Sequence, residues 1–378
     1  MRPLQCEFCK GLFMYFCVNV LKYCQTRKRI GDEVMPDEMA KLRSLAGRLE
    51  QLMTLDVACR GVILPLHAAA TNRHGGPIVL AAAENLVNRI KPGDAVFIAS
   101  GWVDQPLVDP GHGETDGPPG AVALARALRI ICKARPIILT DACLVDGISQ
   151  MARAAGFQCV EPEHLQYSIS MNKLLTLSVL PFPDDWAEAQ LEAERLFDTF
   201  APSVCVAIER GGMNEQGIIH NMAGMDTNAS QAKLDAIFRL APTRGAMTLG
   251  IGDGGNEIGM ANIADEVREF IPFGKKCACG CGGGLAPATL VDLLMPAAVS
   301  NWGVYALTAM LAALSRKKDA LPDAAREKRV LETAAAAGFH DAIYGEVCGS
   351  VDGAPLDTQL AVVQLMREAV VQYLKRKG

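Results

Sequence analysis

The chain has 378 residues, of which 50% are hydrophobic and 21% are charged, and its formal net charge is −5. These proportions are those of a globular protein with a sizeable core, and the acidic balance excludes the basic surface typical of nucleic-acid binding. The 13 cysteines are an odd number spread through apolar segments, which favours reduced thiols over a disulfide framework and predicts a cytoplasmic location.

The first 35 residues precede any clear globular pattern, and we predict that they form an extension outside a single domain spanning residues 36–378. The apolar run 11–23 is too short to cross a membrane, and the basic residues that follow it reverse the order of a secretory signal. Because acidic residues are scarce here, a transit segment is the alternative, and it would place a eukaryotic protein in the mitochondrial matrix.

Apolar residues three to four positions apart alternate along the chain with short apolar runs that are typical of buried strands. The predicted helices cover residues 39–55, 78–90, 121–132, 145–155, 186–200, 233–240, 302–314, 323–337 and 358–375. The predicted strands cover residues 95–99, 136–139, 204–208, 247–251 and 290–299. This alternation predicts an α/β fold with a mostly parallel sheet flanked by helices on both faces.

Ligands of such sheets bind beyond the carboxyl ends of the strands, so the polar loops after the strands are candidate sites. The loop 111–120 carries Glu114, Thr115 and Asp116 among four glycines, directly before a predicted helix. The free N–H groups of a helix N-terminus attract anions, which favours a binding role. A simple helix cap at Thr115 or Asp116 is the alternative.

A second loop, 249–260, has five glycines around Asp253, Asn256 and Glu257. Its backbone N–H groups, those of Gly254 and Gly255 among them, would form an anion-binding nest or an oxyanion hole. The two carboxylates would bind a divalent cation or act as acid and base.

Other interpretations of this second loop stay open. The spacing Gly250-x-Gly252-x-x-Gly255 also fits a dinucleotide-binding turn, although two acids would repel a pyrophosphate unless a metal lay between them. A tight strand-to-helix turn without a binding role is a further alternative.

A third loop, 299–305, again lies where a predicted strand passes into a helix, and its Asn301 and Trp302 would either line a pocket or belong to a helix start. Two weaker candidates remain. Glu209 and Arg210 end the strand 204–208, so both side chains should point toward the same rim, where Arg210 would either hold a carboxylate through two hydrogen bonds or form a surface ion pair. The run Cys277-x-Cys279-x-Cys281 would suit a soft metal or a redox thiol, but this is not a standard zinc spacing and no histidine is near it in sequence. A metal is therefore the less favoured interpretation there.

Five blocks resemble the C-terminal catalytic domain of D-glutamate cyclases, in the same order along most of residues 36–378. They are GETDGPPG at 113–120, Ile208-Glu209-Arg210, Asn221-Met222, GIGDGGNEIGM at 250–260 and VSNWGVYAL at 299–307. The resemblance implies a lyase, a hydro-lyase, that converts D-glutamate to 5-oxo-D-proline and water. Ala261 in place of an expected glycine, and Gly211 in place of a proline after Arg210, leave the substrate open.

Ring closure of glutamate needs a base for the ammonium group, a stabilised oxyanion and an acid for the leaving oxygen. We predict Glu257 or Asp116 as the base, and Asp253 and Glu114 as proton donors or metal ligands. The predicted substrate-binding residues are Arg210, Gly254, Gly255, Asn256, Thr115, Asn301 and Trp302.

Metal dependence is left open by the residues, and if a divalent metal such as Mn²⁺ or Mg²⁺ takes part, Asp253 and Glu257 are its candidate ligands. The expected partner is a small amino-acid substrate, with no nucleic acid and no membrane, and assembly into a homo-oligomer is left open. The alternatives are a nucleotide- or phosphate-binding enzyme that uses the same glycine-rich loops, and a non-catalytic ligand-binding relative.

Overall fold

The computed structural model describes residues 36–375, so the predicted extension over residues 1–35 lies outside the described residues. The strands are β1 (Ala95–Ser100), β2 (Arg135–Thr140), β3 (Gln158–Cys159), β4 (Thr176–Pro181), β5 (Val204–Ile208), β6 (Met247–Gly252) and β7 (Leu293–Pro296). The helices are α1 (Pro36–Met53), α2 (Ile63–His74), α3 (Ile78–Arg89), α4 (Pro118–Ile131), α5 (Val145–Ala154), α6 (Pro162–Met171), α7 (Trp186–Phe200), α8 (Asp235–Leu240), α9 (Ala264–Phe270), α10 (Ser300–Ser315), α11 (Ala324–Ala336) and α12 (Leu356–Lys375).

All five predicted strands and all nine predicted helices are present within a few residues of their predicted bounds. The sequence patterns did not indicate β3, β4, α2, α6 and α9. Strand β3 has only two residues, which is too few to show a period of two. Along residues 36–375, no helix combines the length and the apolar character needed to cross a membrane.

The seven strands form one parallel sheet in the order β3-β4-β2-β1-β5-β6-β7. From β1 the chain first moves toward β2 and later returns to build β5, β6 and β7 on the other side. Right-handed crossovers in two opposite directions place helices on both faces of the sheet, which confirms the predicted α/β architecture. The strand order reverses between β1 and β5, and ligands of open parallel sheets bind outside the carboxyl ends of the strands at such a point.

Helix α10 lies in the interior, and every residue from Ser300 to Ala313 is buried. It packs against α1, α3, α4 and α12, which is why its sequence is apolar on all sides rather than on one face. Because α10 follows β7 after a turn of only three residues, its N-terminus lies at the carboxyl edge of the sheet. That edge therefore receives Ser300 and Asn301 together with the loops that follow β1, β5 and β6.

Candidate active site

Three carboxylates from different parts of the chain meet at the carboxyl edge of the sheet. Asp116 precedes α4, Glu209 follows β5 and Asp253 follows β6, and one oxygen of each lies within 4.8 Å of the others. The sequence predicted Asp116 and Asp253 as site residues, whereas Glu209 was expected at the same rim as Arg210 but was given no catalytic role. Parallel strands explain this arrangement, because the ends of β5 and β6 are adjacent and point the same way.

Asp116 is fixed at the N-terminus of α10. Its carboxylate accepts hydrogen bonds from the backbone N–H groups of Ser300 at 2.7 Å, Asn301 at 2.8 Å and Gly117 at 3.0 Å. Burial and the charge of Asp253 outweigh these bonds and raise the pKa of Asp116 to about 8. Asp116 thus caps α10 and not the helix that follows it in sequence, whose N-cap residue is Gly117 and gives no side-chain cap, and its raised pKa suits a carboxyl group that exchanges a proton near neutral pH.

Glu209 has the strained backbone of a functional position. Its φ of 44° is unusual for a residue with a side chain, and its carboxylate accepts a hydrogen bond from Ser300 Oγ at 2.5 Å. Gly117 lies against it so closely that a Cβ at position 117 would stand 2.9 Å from Glu209 Cβ. Burial raises the pKa of Glu209 well above its usual range, and the charges of Asp253 and Glu257 raise it further.

Asp253 is the ionised member of the group. Burial raises its pKa, but the charge of Arg60 and hydrogen bonds from Asp352 and Arg60 outweigh burial and hold the pKa below its usual value. Arg60 Nη2 donates to Asp253 Oδ2 at 2.5 Å and to the carbonyl oxygen of Ala298 at 2.7 Å. Asp352 lies 3.8 Å from Arg60 Nη1, and burial keeps the pKa of Asp352 well above its usual range.

Sequence patterns did not point to Arg60 or Asp352. Arg60 stands between α1 and α2 in a stretch without a glycine-rich motif, and Asp352 lies in the turn before α12. The Arg60 side chain is 24% exposed, and its guanidinium contacts Asp253. A lone arginine far from the motifs carries no local signal, and only the folded chain brings it to this edge.

Glu257 organises the loop after β6. One of its oxygens accepts the backbone N–H groups of Asp253 and Gly254 at 2.7 and 2.5 Å, and the other accepts that of Gly255 at 2.6 Å. Burial, with a further contribution from the charge of Asp253, raises the pKa of Glu257 to about 7. The N–H groups predicted to form an oxyanion hole at Gly254 and Gly255 are therefore already bonded to a side chain of their own loop.

Arg210 is not at the surface of this cleft. Its guanidinium is fully buried, pairs with Asp141 through both terminal nitrogens, and donates to the carbonyl oxygens of Gly101 and Ala232 at 2.5 and 2.7 Å. The predicted grip on a substrate carboxylate does not fit this placement, because these terminal nitrogens already have internal partners. Arg210 instead fixes the ends of β1, β2 and β5 relative to one another.

Four other predicted binding residues have hydrogen bonds that hold loops together. Asn301 Oδ1 accepts from the N–H groups of Gly117 and Gly120. Thr115 donates to Ser350 O at 2.7 Å, and Asn256 donates to His220 O at 2.7 Å. Trp302 donates to Gln359 Oε1 at 2.5 Å. These hydrogen bonds hold the loops around the three carboxylates in place.

Glu114 is also buried, and burial raises its pKa well above the usual range, with Asp104 and Asp116 raising it further. The negative charges at this edge of the sheet thus act on the pKa of the Glu114 carboxyl group as well. We place it at the border of the cleft, because the three carboxylates that approach one another are those of Asp116, Glu209 and Asp253.

This edge of the sheet has more carboxyl groups than cationic groups, and each acid raises the pKa of its neighbours. Oxygen donors at this spacing suit a hard divalent cation such as Mg²⁺ or Mn²⁺. The predicted ligand pair was Asp253 and Glu257. The geometry places Asp253 with Asp116 and Glu209 instead, since Glu257 is bonded to its own loop.

Comparison with known proteins adds two findings. Residues 49–367 match the family model described as "D-glutamate cyclase-like, C-terminal". A curated protein of Homo sapiens named "D-glutamate cyclase, mitochondrial" is 32% identical to this chain over 199 residues, which are 52% of this chain and 29% of the human protein. The match therefore spans less than a third of the length of that relative.

Proposed function

The chain belongs to the D-glutamate cyclase-like family, and we propose that it is a carbon–oxygen lyase that converts D-glutamate to 5-oxo-D-proline and water. The observation that carries the proposal is the convergence of Asp116, Glu209 and Asp253 beside Arg60 at the carboxyl edge of the sheet. A cleft of this charge suits a small molecule that carries both an ammonium group and carboxylates.

Charge complementarity suggests how glutamate would lie. The ammonium group would face ionised Asp253, and one carboxylate would face Arg60, whose side chain is 24% exposed. The second carboxylate would meet an acidic surface, which is unfavourable without another cation. A divalent cation held by Asp116 and Asp253 would neutralise and polarise that carboxylate when bound, and Glu209 beside them would keep its proton.

The reaction forms a C–N bond between the amine and the carboxyl carbon of the γ-carboxylate, and it breaks one C–O bond of that same carboxylate. The ammonium nitrogen loses two protons and the departing oxygen gains two, so the reaction needs no external proton. What it needs is carboxyl groups that accept and donate protons near neutral pH. Asp116, with a pKa of about 8, and Glu209, whose pKa is also raised, meet that requirement.

We assign the roles from the hydrogen bonds of each group. Glu209 would donate the proton to the leaving oxygen, because Ser300 occupies only one of its oxygens and its raised pKa keeps it protonated. Asp116 would accept a proton from the amine, and Asp253 would stay ionised to hold the ammonium group. Arg210 and Glu257 would act as positioning residues.

The proposal is tested by incubating the purified full chain with D-glutamate or L-glutamate, with and without Mn²⁺ or Mg²⁺, and following 5-oxoproline by mass spectrometry. We expect 5-oxoproline from D-glutamate in the presence of the cation. Saturable binding of D-glutamate without product would identify a non-catalytic relative. Thermal stabilisation by nucleotides but not by D-glutamate would favour a nucleotide-binding enzyme, and either result would overturn the proposal.

A further inference from the structure

A second cluster of ligand groups lies outside the acidic cleft. The side chains of His220, Cys277, Cys279 and Cys281 each offer one atom, and these four atoms all lie within 4.8 Å of one another. His220 Nε2 is 3.2 Å from Cys279 Sγ and 3.6 Å from Cys281 Sγ, and Cys277 Sγ is 3.3 and 3.4 Å from the same two sulfurs. The sequence showed only the three cysteines, because the histidine is more than fifty residues away.

The backbone of the cysteine run is shaped to bring alternate side chains to one point. In an extended strand, alternate side chains share a face but stand about 6–7 Å apart, which is too far for one small ion. Gly280 and Gly282 have φ values of 84° and 87°, and these left-handed conformations curl the run so that the sulfurs approach one another. A side chain at either glycine would be strained although the space beside it is open.

The histidine comes from a different loop, which is tied to the cysteine loop by backbone hydrogen bonds. The N–H groups of Ala278 and Cys279 both donate to Gly224 O, at 2.9 and 3.1 Å. Asn214 Nδ2 donates to Gly284 O at 2.9 Å and lies 3.5 Å from Cys281 Sγ. Two loops that are far apart in the sequence thus converge at the four ligands.

We propose that Cys277, Cys279, Cys281 and His220 bind one Zn²⁺ ion in a closed structural site. Zn²⁺ in proteins prefers four tetrahedral sulfur and nitrogen ligands, and three cysteines with one histidine are a recurrent set. Zn–S bonds of about 2.3 Å place the sulfurs of a tetrahedron about 3.8 Å apart, with a nitrogen about 3.6 Å from each sulfur. The four separations given above are equal to these values or shorter by up to about 0.5 Å, as expected where four ligand atoms converge on one point.

The composition of the site favours Zn²⁺ over other occupants. Three sulfurs suit a soft or borderline metal and not the hard cation expected in the acidic cleft. Four protein ligands leave no open position, so this ion would support the fold and would not activate water. A disulfide between two of the cysteines would leave the third thiol and the fully buried His220 ring without a common role.

The position of the site indicates what the ion would stabilise. The carbonyl oxygen of His220 accepts a hydrogen bond from Asn256, which belongs to the same turn as Asp253. Met222, two residues after His220, lies so near Gly254 that a Cβ there would be 2.8 Å from the methionine sulfur. Zinc would therefore hold the loop that covers the turn of Asp253, independently of the reaction proposed for the cleft.

Metal content gives the first test. The full chain is purified under reducing conditions from zinc-supplemented medium and dialysed, and its metals are measured by inductively coupled plasma mass spectrometry. We expect about one Zn²⁺ per chain in the wild type. The control Cys143→Ser, whose thiol is exposed and outside the cluster, should bind the same amount. Cys279→Ser should contain at least about tenfold less zinc per chain. Wild-type chain without zinc, or with iron or copper in its place, would overturn the assignment.

A second measurement uses only the wild-type chain, so it holds even if Cys279→Ser does not fold. Zinc-edge X-ray absorption should show three sulfurs at about 2.3 Å and one nitrogen at about 2.0 Å. Alkylation followed by mass spectrometry should modify Cys143 first, and Cys277, Cys279 and Cys281 only after a strong chelator is added. An oxygen-rich shell, a disulfide within the cluster, or alkylation of all four cysteines at the same rate would contradict the proposal.

Discussion

The replacement Glu209→Gln removes the acidic proton of residue 209 but keeps the structural contacts of its side chain. The glutamine amide oxygen can still accept the 2.5 Å hydrogen bond from Ser300 Oγ, and the side chain keeps nearly the same volume. The backbone of residue 209, with its N–H donated to Ile251 O at 3.0 Å, is unaffected. What the variant loses is the ability to donate a proton to the leaving oxygen.

The expected fall in kcat follows from the loss of this proton donor. Removing one general acid or base typically lowers kcat by about 10²–10⁴-fold, equivalent to about 3–5 kcal/mol of transition-state stabilisation. The matched variant Ser300→Ala removes only the hydrogen bond, which is worth about 1 kcal/mol, or roughly a fivefold loss of kcat. The two effects therefore differ by at least about an order of magnitude.

The assay is steady-state 5-oxoproline formation from D-glutamate across a pH series. Because burial raises the pKa of Glu209, its protonated form persists toward neutral pH, and wild-type kcat should fall as the pH rises through that pKa. This alkaline decline should be absent in Glu209→Gln and present in Ser300→Ala. If Glu209→Gln keeps wild-type kcat and the same pH profile, the proton-donor role is refuted.

Three further predictions concern the surrounding charges. Arg60→Gln should lower kcat/KM by about 10–100-fold, mainly through KM, because a charged hydrogen bond to a substrate carboxylate is lost; unchanged steady-state kinetics would contradict this role. Asp141→Asn should lower the free energy of unfolding, measured in urea, by about 3–5 kcal/mol, since buried Arg210 loses its counter-charge. The control Arg244→Gln, at an exposed ion pair, should lower it by less than about 1 kcal/mol. Equal effects of the two replacements would refute the internal role of Arg210. The folded pKa of Asp116 is raised to about 8, so its contribution to stability is present at acid pH and is lost as the pH rises through that value. Mn²⁺ should therefore raise the melting temperature, measured by calorimetry, more at about pH 9 than at about pH 6. A rise that does not depend on pH would argue against cation binding at this carboxylate.

Much of the fold was predictable because local patterns and tertiary structure agree. The helix predicted over residues 186–200 is α7 with the same bounds, and the strand predicted over residues 204–208 is β5. The glycine-rich stretch 249–260 was correctly expected to follow a strand, since it begins within β6. Edge strand β3 was missed because two residues carry no periodic signal.

The partners of the site residues were less predictable, because side-chain pairing depends on which loops the sheet brings together. Asp253 was chosen from its motif, but its contact with Arg60 spans 193 residues of sequence. Arg210 has the residue type and strand-end position of a substrate anchor, yet its guanidinium turns inward to Asp141. The cysteine run likewise gave no clear metal signal until folding added His220.

The most direct measurement compares wild-type chain with Asp253→Asn, supplied with D-glutamate and Mn²⁺ and followed by mass spectrometry of 5-oxoproline. We expect product from the wild type and a loss of at least about 100-fold in the variant, since Asp253 is the ionised carboxylate shared by the proposed ammonium site and cation site. Equal rates of 5-oxoproline formation by the two proteins would contradict it.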